Sequence, residues 1–352
     1  MFNKKRVMSA LQKYVYILLA ILLTGYFFVI GDALLMVCVA SVFIALLLLP
    51  VYNLFKKWGL HDILASLFSV LLSGVFIVSV VFFIGWQVVS LSQNLTDLES
   101  DATQKINEYT GWIDSQLPFS EEERKEWINE NISTAIKSGS DVLVNVMTAT
   151  GTFLFYLLLI PVLTFLILIY KSRIKKAILM LFKDSHDQAE NLLSRMNSMS
   201  MRYLTGVMTV VAILAVINFI GFWAIGLEYA LLFGVIAGLL NIIPYVGVLI
   251  GSALPVLYAL LTMDHWGYAV GVLGICIFSQ TLESNLITPK ITGSSVQLNP
   301  LAAFLSLLIG GMIWGIVGMV LAILIAGVLK AIFDTIPGLK PIGYLMGDND
   351  NS

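Results

Sequence analysis

The chain offers chemistry in two places. The first is Gln280-Thr-Leu-Glu-Ser-Asn-Leu-Ile-Thr-Pro-Lys290, where Gln280, Glu283, Asn285, Pro289 and Lys290 close an otherwise apolar segment. Glu283 terminates or sits within an apolar helix, and an ionisable group at membrane depth is costly enough to imply a function. Gln280 and Glu283 are three residues apart and so share one helix face. A carboxylate there can bind a cation, carry a proton, or pair with Lys290 and merely fix a loop. The second place is Asn241-Ile-Ile-Pro-Tyr-Val-Gly247, which interrupts an apolar stretch at residues 230–262. Pro244 removes a backbone donor and clashes with the preceding turn. The carbonyls it frees must face protein or a water-lined cavity. A broken apolar helix with Asn241, Tyr245 and Gly247 at the break is the pattern of a transporter binding site. The competing structural reading is a proline kink that only shapes packing.

Other chemistry is excluded by its missing partners. The chain has no His-Glu-x-x-His zinc helix and no Walker-type phosphate loop. His61, His186 and His265 fall in expected loops, and Asp184-Ser-His-Asp187 has no second His or Cys nearby to complete a metal site. Ser252 lacks both a Gly-x-Ser-x-Gly setting and a membrane-embedded base. The chain is therefore expected to be no enzyme, to need no cofactor and to hold no metal.

The elements that must carry these groups follow from composition. The chain is 59% hydrophobic and 12% charged, against about 25% charged residues in soluble domains. Its apolar runs reach the roughly 20 residues that cross a bilayer. The fold class is all-α, a polytopic membrane protein. A formal net charge of −2 argues against nucleic acid as a partner. Cys38 and Cys276 lie in apolar runs and read as buried thiols.

In order, apolar spans are expected at 14–30, 33–52, 63–89, 142–170 and 203–225, then the broken stretch 230–262, a segment from 266 to 279, and a last run at 301–332. Asn218 inside the fifth span suits an interhelical hydrogen bond. Gly310, Gly311, Gly315 and Gly318 in the last run permit close helix approach. The first run lacks a small-residue cleavage site and reads as an uncleaved span. In domain terms these are N-terminal membrane helices at 1–92, a helical insertion at 93–141, a membrane helix at 142–170, a basic loop at 171–202, transport-core helices at 203–333 and a flexible tail at 334–352. The insertion carries eleven acids against four bases and reads as short amphipathic helices on the non-cytoplasmic side. The basic loop carries Lys171, Arg173, Lys175, Lys176, Lys183, Arg195 and Arg202, and within it 188–202 reads as an amphipathic helix on the membrane surface or leading into the next span. By the positive-inside rule this loop and the basic N-terminus are cytoplasmic. Residues 230–262 can cross once with a break, leaving Asp264 and the tail in the cytoplasm, or turn back as a hairpin and invert both.

Four motifs together carry a resemblance. Asn241 to Gly247, Gln280 to Gly293, Leu298-Asn-Pro300 and Gly315-Ile-Val-Gly-Met319 resemble the autoinducer-2 exporter (AI-2E) family of bacterial and archaeal permeases over residues 230–330. Thr292 stands where that family often has Met, and Asn299 where it often has His. The resemblance implies about eight membrane helices, one of them broken or re-entrant, an extracytoplasmic insertion, and a homo-oligomer, a pentamer. It also implies a bacterial inner-membrane permease. The leading expectation is a secondary transporter exporting a small polar solute, such as an autoinducer-2-like molecule, with Glu283 coupling transport to a proton or cation. The alternatives are a monovalent cation (Na+ or Li+)/proton antiporter, and a non-transporting scaffold or regulator acting through its acidic insertion.

Overall fold

A computed structural model of the chain describes residues 15–16, 18–19, 22–23, 25–26, 30–93, 150–182, 186–243, 246–291 and 296–347, the side chains at 92–93, 150–155 and 246 excepted. The insertion expected at 93–141 lies outside the described residues, as do Pro244, Tyr245 and Thr292. Among the described residues every named element is a helix, and the one β-type contact is an isolated bridge between Leu298 and Gly347.

The helices are α1 (Asp32–Lys57), α2 (Asp62–Gln93), α3 (Thr150–Leu181), α4 (His186–Ile225), α5 (Ala230–Leu240), α6 (Val246–Thr262) and α7 (Trp266–Leu282). A wide π-type turn, Glu283–Ile287, joins α7 to α8 (Thr288–Ile291), and α9 (Pro300–Thr335) and α10 (Lys340–Met346) complete the chain. Six helical segments are long and apolar enough to cross a bilayer, and α5 and α6 are shorter apolar helices. The chain is thus a polytopic all-α membrane protein.

Charge pairs tie the helix ends together at one end of the molecule. Lys56 at the end of α1 meets Asp62 at the start of α2 at 2.7 Å. The Tyr52 hydroxyl donates to the same carboxylate at 2.8 Å. The Lys171 ammonium of α3 lies 3.5 Å above the Tyr52 ring, a cation–π contact. Lys175 of α3 reaches Glu190 of α4 at 2.7 Å. This is the basic end. Residues 171–202, expected to be a basic loop with an amphipathic helix at 188–202, are mostly helical: α3 continues to Leu181, and α4 begins at His186 and leads into the next span. At about 1.5 Å per residue, the 40 residues of α4 measure about 60 Å, twice the roughly 30 Å hydrocarbon core, so the basic stretch projects beyond any bilayer as helix.

Midway between the ends, small polar residues knit the helices. The Ser41 hydroxyl of α1 donates to its own Val37 carbonyl at 2.7 Å and also lies 3.3 Å from the Ile160 carbonyl of α3. Thr164 of α3 donates back to the Ser41 carbonyl at 3.4 Å. Ser41 and Thr164 are fully buried, as helix contacts in lipid require of polar groups. The larger apolar core joins α4, α5, α6 and α7 through Phe222, Phe233, Tyr258, Ala259 and Val272. A second core packs Ala40 and Phe43 of α1 against Leu321 and Leu324 of α9. Cys38, expected to be buried, lies on an exposed face of α1, and Cys276 is half-buried.

Two helices fold back on themselves. After Gly226, whose positive φ of 86° ends α4, α5 runs inward along α4. Gly234 and Gly238 place its backbone directly on Val211, Ala215 and Phe219; a Cβ at Gly234 would sit 2.7 Å from the Phe219 amide nitrogen. This is the small-xxx-small approach. Beyond Leu240 the chain reverses and α6 returns: Gly251 faces Ala237 and Gly247 faces Leu240. The stretch 230–262 is therefore a hairpin, not a single broken crossing. Asp264 comes out at the end opposite the basic one, beside the last residues of α2, where Tyr229 meets Ser90 at 3.5 Å.

The second fold-back lies inside α9. Trp314 (φ −127°, ψ 21°) and Gly315 (φ 57°, ψ −136°) leave helical geometry, and Gly310 touches Gly318 and Ala322 across the turn. In a continuous helix residues 310 and 318 would stand about 12 Å apart. Gly315 can adopt its positive φ without the steric penalty of a side chain. The last run, read as one span, is thus a helical hairpin whose tip indole donates to the Asp32 carboxylate. This second reversal returns the tail to the basic end, where a single hairpin at 230–262 would have left it at the other. Residues 340–346, within the stretch expected to be flexible, form α10. Asn299 binds it through its amide to Met346 O (2.9 Å) and its Nδ2 to Leu345 O (2.8 Å).

Candidate functional site

The turn of the first hairpin delivers polar groups to the interior. Asn241 caps α5, and Gly247 and Ser252 lie on the first turns of α6. Opposite them stand Asn218 of α4 and Ser279 and Gln280 of α7. Together they line a half-open space of about 30 Å³, enough for a water molecule or a bare cation but not for a solute. Depth follows from length: the 11 residues of α5 rise about 16 Å, roughly half the hydrocarbon core. The turn therefore lies near the midplane, where broken helices place transport sites.

Two of the groups expected to work together, the break and Gln280, do meet here. Glu283 stands one bond further away. Gln280 donates from Nε2 to Glu283 Oε2 at 2.7 Å, and Thr288 donates to the other carboxylate oxygen. The clamp depends on local backbone. The ring of Pro289 would collide with the carbonyl four residues back in an α-helix. The chain instead widens into the π-type turn at 283–287, where the Thr288 amide bonds Glu283 O. Such single wide turns recur at functional sites. Glu283 makes no ion pair with Lys290 among the described residues, so the loop-fixing pair is not formed. Asn285 faces away, its Nδ2 donating to Thr281 O at 2.9 Å. Pro289 is exposed, and Lys290 faces a separate cavity at the basic end.

Asn218 matters more than the sequence suggested. It is 6% exposed and its Oδ1 has no hydrogen-bond partner. An unpaired buried acceptor costs about 1–3 kcal/mol. This unpaired acceptor lies on the wall of the polar space. The sequence signal was present, a lone Asn in an apolar span, but an interhelical bond explained it equally well.

Comparison with known proteins decides the family. Residues 16–338 match the model of the AI-2E family transporters. The chain belongs to the AI-2E family. It is 30% identical over 334 residues to YrrI of Bacillus subtilis, covering 91% of each chain. It is 28% identical over 315 residues to a Haemophilus influenzae protein, covering 88% of each. The permease PerM of Escherichia coli matches at 25% over 212 residues, 59% of this chain and 60% of PerM. The first two carry provisional names as transport proteins, and PerM a provisional name as a permease. In AI-2E terms, the motif residues of this chain that lie among the described ones sit on the first hairpin, on the π-type turn after α7, and on both sides of the turn in α9.

Proposed function

We propose that this AI-2E protein is a secondary transporter of the bacterial inner membrane that exports a small polar solute, of the size and polarity of autoinducer-2, through the space between the first hairpin and α7. The basic end faces the cytoplasm, because Lys and Arg concentrate there, and the N-terminus lies on that side. The observation that carries the reading is the meeting of Asn241 and Gly247 with Asn218 and Gln280 around one polar space. Solute entry requires the hairpin to move off α7, since the space is too small for it. Glu283 couples that movement to a proton or cation: protonation removes its demand for donors and loosens the Gln280 side chain that walls the site. The small volume also favours a second reading, a monovalent cation/proton antiporter, in which a bare Na+ or Li+ is the cargo itself.

One set of measurements on Glu283→Gln tests both. In proteoliposomes the variant is expected to lose solute flux by about 100-fold or more, as loss of a coupling group does, while its size-exclusion profile stays that of the wild type. Collapse of a pH gradient in inverted vesicles on adding Na+ or Li+ separates the antiporter from the exporter. Undiminished flux in the variant in both assays would eliminate Glu283 as the coupling group.

A further inference from the structure

A second, larger cavity lies at the basic end. It measures about 510 Å³, within the roughly 300–1,000 Å³ of small-molecule sites. Three elements distant in sequence supply its charges: Arg195 and Arg202 from α4, Lys290 from α8, and Lys330 from the returning arm of α9. Its one carboxylate, Asp334, is already paired with Lys330 at 2.7 Å, with side chains only 26% and 12% exposed. Among the described residues no carboxylate lies within ion-pair distance of Arg195, Arg202 or Lys290. Among the described residues, three positive charges thus face one cavity without a paired carboxylate.

Orientation in the membrane explains basic residues at this end in general, but not their convergence. Scattered positive charge would satisfy the orientation rule equally well. Lys330 is nearly buried, so it does not serve as a surface charge. Arg195 is held in place, its guanidinium 3.3 Å from Gln297 Oε1. Gln297 has φ 48°, a left-handed conformation that costs about 1–3 kcal/mol in a residue other than glycine. Strain that fixes an arginine on a cavity wall fits a binding site better than a passive surface.

We propose that this cavity is a phosphate-binding site, taking the phosphate group of a small soluble ester or of a lipid head group. A phosphate presents several anionic oxygens at once, and arginine meets it with paired donors. The site is distinct from the midplane space, and its occupancy does not require the transport reading to hold.

The test uses the full chain in phosphatidylcholine nanodiscs, titrated with glycerol phosphate against chloride at matched ionic strength, with the thermal midpoint as readout. A saturable rise is expected. Arg202→Gln and Lys290→Gln each weaken the apparent affinity about tenfold, the loss of one charge-assisted contact. Lys175→Gln, at the same end but paired with Glu190 outside the cavity, leaves it unchanged. Discs made with phosphatidylglycerol distinguish the source. If the lipid is the natural ligand, they raise the midpoint on their own and abolish the response to glycerol phosphate, and Lys290→Gln reverses both effects. If a soluble ester is the ligand, the response persists. Absence of a saturable effect from either source overturns the proposal, as does an effect that survives both cavity substitutions or falls equally with Lys175→Gln.

Discussion

The two hairpins solve the same problem in opposite ways. Each returns the chain within a region too apolar for an ordinary loop. The first stops near the midplane and carries Asn241 and Gly247 to a polar space. The second turns at Trp314 and Gly315, and its tip reaches the level of Asp32, at the far end of α1 from Lys57. Its returning arm of 20 residues rises about 30 Å, the full hydrocarbon thickness. That arm also packs on α1 through Leu321 and Leu324, the latter fully buried. The shallow hairpin ends beside the unpaired Asn218 acceptor of α4 and the Gln280 side chain of α7. The deep one ends in a satisfied bond and is clamped along its length. On the proposed transport reading the first moves and presents ligands, while the second packs against α1 and carries Lys330 to the basic cavity.

Wedging the deep hairpin apart should give the largest effect. Gly318 has the Gly310 carbonyl directly where its side chain would be. In Gly318→Leu the two arms cannot close, and the core with α1 opens with them. Overpacking of this kind costs about 1–3 kcal/mol in adaptable cores; here the obstacle is backbone, and several times that is expected. The measurement is the yield of monodisperse protein after mild solubilisation, which should fall to near zero. Normal yield would show that the arms tolerate separation and that the hairpin is not the clamp.

Asn218→Leu sharpens the contrast from the other side, with a smaller and opposite effect on stability. Replacing a buried unpaired acceptor by an apolar group of similar size should stabilise the fold by about 1–3 kcal/mol. Flux in proteoliposomes should fall at least tenfold, because the polar space loses an acceptor. A higher melting temperature with lower transport is the signature of a group retained for function. If the melting temperature falls instead, Asn218 has a structural partner and the midplane site loses its best-placed acceptor.

The sequence disclosed the shallow hairpin and concealed the deep one for a physical reason. Pro244, Asn241 and Gly247 announce a break because each disturbs a helix in its own way. Whether the break crosses or reverses depends on the close approach of Gly234 and Gly238 to α4, a long-range contact that local pattern does not reveal. Trp314 and Gly315 carry no proline and no charge, so residues 301–332 read as one span. Length was the available clue. Thirty-two residues would rise about 48 Å as one helix, and the same argument that flagged 230–262 applied here; the four glycines between 310 and 318 gave the place. Within the site, the Gln280–Glu283 pair was legible from spacing alone. The widened turn that clamps Glu283 was not, nor was the convergence of Arg195, Arg202 and Lys330, since these come from helices whose packing only the fold determines.

The smallest predicted effect concerns the tip of the deep hairpin. Trp314 donates its indole N–H to Asp32 at the opposite end of the molecule from the basic cavity. Trp314→Phe keeps most of the aromatic surface and removes the donor. A hydrogen bond to a charged acceptor contributes about 1.5–3 kcal/mol when buried, but this pair is exposed, and screening reduces its worth to about 1 kcal/mol or less. The expected result is a drop of a few degrees at most in the melting temperature, with transport and glycerol phosphate binding unchanged. The clamp lies along the arms, at Gly310, Gly318 and Leu324, so losing the tip should not release it. A large loss of transport in this variant, with folding intact, would mean that the deep hairpin moves too, and the division between a mobile hairpin and a fixed one would have to be given up.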